Sequence, residues 1–326
     1  MITRRRVVIA LGAGALAPLE SFAQQPTKVF RIGFLSPTSF AGSASRVETL
    51  RAGLRDLGYV EGKNLVLELR FAEGNYERLP ELAAALVRLK IDVFVTQATT
   101  ATRVAKNATT TIPIVMTSGG DAAAAGLVAS LARPGGNITG LNAFSPEISA
   151  KRIELIKEAL PRTRRVAVLF EAANPVVRSN VQAMERTAKS IKVALQLIAA
   201  RGPDDFRNAF SAMSKQRVDA VALPQDGMIE ANTKVIADLA AKLRIPSVGQ
   251  AEFAEAGGLI GNGENLTDLY RKVAVFVDKI LKGAKPADLP VEQATKFALV
   301  VNMKTARALG IKIPNSILVQ ATKVIE

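Results

Sequence analysis

The sequence predicts an α/β protein built as two doubly wound parallel-sheet lobes joined by a multi-strand hinge, and three observations carry that prediction. From Phe30 onward, short apolar runs alternate with amphipathic stretches of a dozen or more residues, the mark of successive βαβ units. The order of elements then repeats, because Ile91-Asp92-Val93 is answered by Val218-Asp219-Ala220 at an offset of 127, and Ile112-Pro113 by Ile245-Pro246 at an offset of 133. Finally, 326 residues are too many for one small domain and suit two of about 100 to 150 residues each.

In the first lobe, Arg31 to Ser36 reads as a strand. Arg46 to Leu57 reads as a helix, with Val47, Leu50, Leu54 and Leu57 on one face and Gly58 as its stop. Leu65 to Phe71 is a second strand, Leu79 to Leu89 a helix, Val93 to Thr96 a strand, Thr99 to Asn107 a helix and Ile114 to Thr117 a strand. The second lobe follows Pro161 with strands at Val166 to Phe170, Ala194 to Ala199, Ala220 to Leu223 and Ser247-Val248. Between them lie helices at Val176 to Ile191, Asp204 to Lys215 and Ile229 to Leu243. The tail adds a strand at Leu259 to Asn262, a helix at Leu266 to Leu281, a strand at Phe297 to Val301 and a helix at Met303 to Leu309. These elements predict a first lobe of residues 28–142 plus 250–288 and a second of 143–249 plus 289–326, with crossings near Gly140 to Ala143, Gly249 to Gly257 and Ala287 to Glu292.

The first 23 residues read as a separate leader. Thr3-Arg4-Arg5-Arg6 is a positive head, Val7 to Ala17 an uncharged run, and Ser21-Phe22-Ala23 a small-residue cleavage site, which together predict a signal peptide over residues 1–23 and export to the periplasm. The apolar run is shorter than the roughly 20 residues of a permanent membrane helix. Sec and twin-arginine routes both fit the arginine cluster.

Composition narrows the chemistry. Apolar residues make up 48% and charged residues 22%, which suits a globular chain. With 13 Phe, 3 Tyr and no Trp, the core must rest on Val, Ile, Leu and Ala, as buried parallel strands do. The formal charge of +14 is spread over helices, as at Arg46, Arg51, Arg55, Arg78, Arg88, Lys189, Lys192 and Lys242. That pattern reads as solvated helix faces and not as a nucleic-acid surface, which would cluster the charge with aromatics. There is no cysteine, hence no lipid-attachment site, disulfide or thiol chemistry, and no histidine, which removes the common nucleophilic triads and zinc sites. Gly257-Gly258-Leu259-Ile260-Gly261-Asn262-Gly263 surrounds a strand instead of joining a strand to a helix, so no nucleotide cofactor is expected.

Open α/β sheets bind ligands at the carboxyl ends of their strands, and both lobes carry polar residues there. The first offers Ser36-Pro37-Thr38, Thr96-Gln97-Ala98-Thr99 and Ser118-Gly119-Gly120-Asp121; the second offers Glu171-Ala172-Ala173-Asn174, Pro224-Gln225-Asp226 and Gln250. Candidate ligand-binding residues are therefore Ser36, Thr38, Gln97, Thr99, Ser118, Asp121, Asn174, Gln225, Asp226 and Gln250. Hydroxyls and free backbone N–H groups suit an anionic group, and Asp226 or Asp121 an ammonium, so a zwitterion fits both. Helix capping is the competing reading for each of these residues. Asp226 stands out because the helix after it reads as starting nearer Ile229. Phe40, Phe144 and Phe253 are the aromatics nearest the predicted cleft loops.

Several stretches carry a family likeness: Arg31-Ile32-Gly33-Phe34-Leu35-Ser36, the run Gly53 to Asn64, Leu127 to Gly140 with its LARPGGN core, and Ile280 to Pro290. Across about Phe30 to Glu326 the chain resembles the ABC transporter substrate-binding protein family that includes tryptophan- and tyrosine-binding receptors. The resemblance implies a type I periplasmic-binding-protein fold, a small-molecule ligand such as an amino acid held between the lobes, no catalysis, and an ABC importer permease as partner to a monomeric receptor. It also implies ligand roles at Gly120-Asp121, Asn174-Pro175 and Asp226. The chain departs from the family at Asp121-Ala122-Ala123-Ala124-Ala125 and at Gly227-Met228. A carboxylate-based hydrolase or transferase on the same cleft, and the sensing domain of a signalling system, are the alternatives that share this fold.

Overall fold

The computed structural model describes residues 28–119, 122–142, 145–171 and 177–326, so the leader expected over residues 1–23 lies outside the described residues. Strand β1 (Phe30–Ser36) buries Ile32, Phe34 and Leu35 completely. Helix α1 (Phe40–Asp56) follows. It starts at Phe40 and not at Arg46, because the Ser39 hydroxyl accepts the Gly42 N–H at 3.1 Å and caps it. Then come β2 (Leu65–Phe71), α2 (Leu79–Arg88), β3 (Val93–Gln97), α3 (Ala98–Ala108), β4 (Ile114–Gly119) and β5 (Ile138–Asn142).

The chain continues through α4 (Ser145–Ala159), β6 (Arg165–Glu171), α5 (Val177–Ser190), β7 (Ala194–Ala200), α6 (Phe206–Lys215) and β8 (Ala220–Ala222). The single helix expected from Ile229 to Leu243 is two, α7 (Gly227–Ala231) and α8 (Thr233–Lys242). After them lie β9 (Ser247–Gly249), α9 (Ala251–Glu255), β10 (Ile260–Glu264), α10 (Leu266–Leu281), β11 (Glu292–Gln293), β12 (Phe297–Asn302), α11 (Met303–Leu309), α12 (Asn315–Gln320) and β13 (Lys323–Ile325).

Two sheets result, ordered β11-β5-β4-β3-β1-β2 and β13-β12-β10-β9-β8-β6-β7. All the strand pairs are parallel except β10 with β12. Apolar clusters cover both faces of each sheet, as parallel sheets require. On the first sheet α1 and α10 cover one face and α2 and α3 the other. On the second, α4 and α5 cover one face and α6 and α8 the other.

The repeated landmarks do the same work in each lobe. Asp92 accepts the Arg31 N–H at 2.7 Å, and Asp219 accepts the Arg164 and Arg165 N–H groups at 2.7 and 2.8 Å, so each carboxylate ties down the start of its lobe's first strand. The Pro113 carbonyl accepts from Phe94 at 2.8 Å, and the Pro246 carbonyl from Val221 at 2.9 Å.

The lobe boundaries expected from the sequence are corrected at two places. Residues 260–264, expected with residues 250–288 in the first lobe, form β10 and pair with β9 and β12 in the second sheet. Glu292–Gln293, expected in the second lobe, form β11 against β5 in the first. The chain therefore crosses between sheets at residues 142–145, 264–266 and 293–297. The strand expected at Leu259 to Asn262 is present as β10, and its glycines serve close packing. A Cβ on Gly261 would lie 2.6 Å from the Ala251 carbonyl oxygen and 2.7 Å from that of Gln250, so only glycine lets β10 pass the start of α9.

Gly261→Ala is expected to cost about 1–3 kcal/mol by overpacking against immobile backbone, read as a lower urea midpoint at unchanged slope. Gly263→Ala, whose added Cβ meets nothing nearer than 3.4 Å, is the comparison and should cost far less.

Candidate functional site at the lobe boundary

Parallel strands deliver their carboxyl ends to one edge of each sheet, and polar side chains collect there. In the first lobe the Ser36 hydroxyl, at the end of β1, donates to Gln97 Oε1 at 2.9 Å and shares a hydrogen bond of 2.9 Å with the Thr38 hydroxyl. Ser43 of α1 joins the same network. All four residues are buried. With its oxygen committed to hydroxyls, the Gln97 amide presents its nitrogen, which donates to Glu230 Oε2 of α7 at 3.4 Å, across the lobe boundary. The next residue, Ala98, has a φ of 65°, a left-handed conformation that costs a non-glycine residue about 1–2 kcal/mol. Strain is thus stored at the junction that holds Gln97 and Thr99.

In the second lobe the sequence turns from β8 into α7 through Asp226. Its Oδ1 accepts from the Met228 and Ile229 N–H groups at 2.9 and 3.2 Å, so Asp226 caps a helix that begins at Gly227 and not near Ile229, which corrects the sequence reading. One helical turn on, Glu230 meets partners from both lobes. Gln250, at the end of β9, donates its amide nitrogen to Glu230 Oε1 at 3.2 Å. Arg46 of α1 stands 3.6 Å from Glu230 and 4.0 Å from Glu252. Burial alone would pull the Arg46 guanidinium down, but Glu230 and Glu252 more than reverse it. Burial pushes Glu252 up, with Arg46 opposing.

Tyr76 is the second bridge. It belongs to the first lobe, yet its ring packs against apolar clusters of both lobes. A Cβ on Gly227 would lie 2.6 Å from its hydroxyl, so glycine at the start of α7 is what admits the ring. Burial, then Asp226 and Glu171, push the tyrosine upward. Glu171, at the end of β6, is pushed up to about 7 by burial first and by Asp226 second, against a hydrogen bond from Tyr76.

Further along this edge, Gln225 donates its amide nitrogen to Glu264 at 3.3 Å. Burial raises Glu264, partly offset by its own backbone hydrogen bond and by Arg152. Arg152 of α4 is fully buried and donates to the carbonyls of Asn262 at 2.8 and 3.0 Å and Leu223 at 2.7 Å, and burial lowers it to about 10. It holds the ends of β8 and β10 together.

Ser36, Thr38 and Gln97 form one network, and Gln97 and Gln250 meet at Glu230. Thr99 is buried one residue into α3 from Ala98, and Gln225 and Asp226 lie at the start of α7. Asp121 and Asn174 fall outside the described residues, as does the Ser118 side chain. Arg46, read as part of a solvated face, is 7% exposed. Its place was visible in the spacing, since Ser43, Val47, Leu50 and Leu54 mark the buried face of α1 and Arg46 falls among them. Glu230 had a weaker signal, lying four residues after Asp226 on the same helical face. Tyr76 had none in its polar surroundings. Among the expected aromatics, Phe253 is consumed by the core, Phe40 is exposed and packs edge-on to Phe71, and Phe144 lies outside the described residues.

With this geometry in place, comparisons with known proteins agree. A family model described as ABC transporter substrate binding protein matches residues 31–325. The chain is 25% identical over 260 residues to a tyrosine-binding protein of Clostridioides difficile (strain R20291), spanning 79% of this chain and 74% of the relative. Among solved structures, a conserved domain protein from Vibrio cholerae O1 biovar El Tor aligns with a TM-score of 0.84 at 30% identity, covering 91% of this chain and 100% of that one. An ABC domain in complex with L-Trp from Streptococcus pneumonia aligns with a TM-score of 0.82 at 28% identity, covering 90% and 100%.

Two outcomes follow from the electrostatics. Glu171 keeps its proton in the folded protein after the unfolded chain has lost it, so ligand-free stability should fall as pH rises from about 4.5 to 7. Glu171→Gln should flatten that part of a thermal-midpoint profile. Arg46→Met should cost about 3 kcal/mol in urea denaturation by leaving Glu230 and Glu252 facing each other without their cation, and adding Glu230→Gln should recover part of the loss.

Proposed function

Because the chain belongs to the ABC transporter substrate-binding protein family, we propose that it captures one small polar or zwitterionic ligand, an amino acid among the candidates, between its lobes. It hands that ligand to the membrane permease of an ABC importer. Its architecture is the type I periplasmic-binding-protein fold. The observation that carries the reading is the convergence on Glu230 of side chains from both sheets, Gln97 and Arg46 from one and Gln250 from the other. Polar groups that face one another across a three-crossing hinge suit a receptor that closes on a solute. Ser36, Thr38, Gln97, Thr99 and Ser118 form the wall of the first lobe in this proposal, with Asp121 beside them. Asn174, Gln225, Asp226 and Gln250 form the wall of the second.

Binding without turnover is part of the proposal. Its support is the nature of the relatives, together with a site whose carboxylates serve as helix cap or amide and guanidinium partners. Action as a monomer outside the cytoplasmic membrane is a further part, supported by the leader residues and by the family. Among the described residues no helix is long and apolar enough to cross a membrane.

A thermal-shift screen over amino acids, small carboxylates, sugars and purines should find one class that raises the melting temperature in proportion to the logarithm of its concentration. Asp226→Asn keeps a competent helix cap while removing the charge. It should leave the ligand-free melting temperature nearly unchanged and lower affinity at least tenfold. Turnover of any binding compound would sink the receptor reading.

A further inference from the structure

Five buried side-chain polar atoms lack a hydrogen-bond partner among the described residues, and four of them belong to one place. Glu171 Oε2, Asn180 Oδ1, Gln225 Oε1 and Gln250 Oε1 lie at or beside the carboxyl ends of β6, β8 and β9. All four are acceptors. The amide orientations are set by their neighbours, because each nitrogen already faces an acceptor: Gln250 donates to Glu230, Gln225 to Glu264 and Asn180 to the Gln225 carbonyl. Turning any of these amides over would set oxygen against oxygen. Glu171, Asn180 and Gln250 are each more than nine-tenths buried. A buried acceptor without a donor is an unfavourable state that a ligand's N–H groups relieve.

The charge balance points the same way. Glu171, Asp226, Glu230, Glu252 and Glu264 surround the boundary. Against them stand Arg46, shared by Glu230 and Glu252, and Arg152, committed to backbone carbonyls. A chain of formal charge +14 therefore keeps an acid-rich, donor-poor wall at its centre.

We propose that the ligand is a small cationic amine of net positive charge, whose ammonium or guanidinium N–H groups fill the orphan acceptors of Glu171, Gln225 and Gln250. This rests on the receptor reading above and narrows it from zwitterions in general to basic ones. Glu171 faces Tyr76 from the first lobe and Asp226 from the start of α7, and its proton leaves near pH 7. A cation should therefore bind more tightly as pH rises from 6 to 8, which a neutral solute would not do.

The test is calorimetric titration of the full chain at pH 8 with arginine, lysine and cadaverine, set against leucine, tryptophan, glutamate and ribose. The expected result is at least tenfold tighter binding of one cationic probe than of any neutral or acidic one. Glu171→Gln and, separately, Gln225→Leu should each reduce that preference at least fivefold. Failure of every cationic probe, or tighter binding of a neutral or acidic one, overturns the inference. In either case the receptor reading stands if a neutral or acidic probe binds and falls with it if none does.

Discussion

A carboxylate cannot be removed from water without partners, and Glu230 is where that constraint shapes this molecule. Its side chain is 12% exposed and lies on α7, a short helix that reaches the other lobe. Its needs are met by an amide from each sheet and a guanidinium from α1. None of these partners suffices alone, because the amide bonds are long and the ion pair stands at 3.6 Å. The lobes must meet where all three reach one residue. Asp226 supports this by capping α7, and Gly227 by admitting the Tyr76 ring that seats the helix against the first lobe.

The architecture beneath that contact is a duplication carried down to individual hydrogen bonds. Asp92 and Asp219 each hold the amino end of a first strand, and the carbonyls of Pro113 and Pro246 each receive the third strand of their lobe. These were visible in the sequence because a parallel strand buried on both faces is a bare run of Val, Ile and Leu, and because the residues that lock its ends are few and polar. The misreadings have physical causes too. The first turns of α1, AGSAS, carry no apolar stripe, so the helix start rested on a hydroxyl cap that periodicity does not see. Strand β5, ITGLN, is short and polar enough to pass for linker. Strand β10 was read as a strand but given to the first lobe, because its apolar pattern does not say which sheet it joins.

The rule that parallel sheets present their strand ends to ligands named Ser36, Thr38, Gln97, Gln225, Asp226 and Gln250, and the structure places all six along the strand-end edges at the lobe boundary. It could not reach residues that come to the boundary on helices. Arg46 and Glu230 look like ordinary surface charges until the partner lobe is in place, because their burial is created by a contact between segments far apart in sequence. Tyr76 sits in a short turn among polar neighbours, where nothing local announces a ring shared by two cores.

The two walls differ in kind, and the difference bears on how binding moves the lobes. The first is satisfied on its own, with Ser36, Thr38 and Ser43 bonded to one another and to Gln97. The second carries acceptors left unfilled, and burial and Asp226 push Glu171 up to about 7. Closing without a ligand therefore takes acceptors out of water and gives them nothing in return, whereas opening returns them to solvent. A ligand that brings donors removes this penalty only in the closed arrangement. Such a difference in affinity between two arrangements is what a ligand needs in order to shift a protein from one to the other. In the proposed receptor, the unfilled acceptors couple occupancy of the site to the position of the lobes, with the three crossings as the axis.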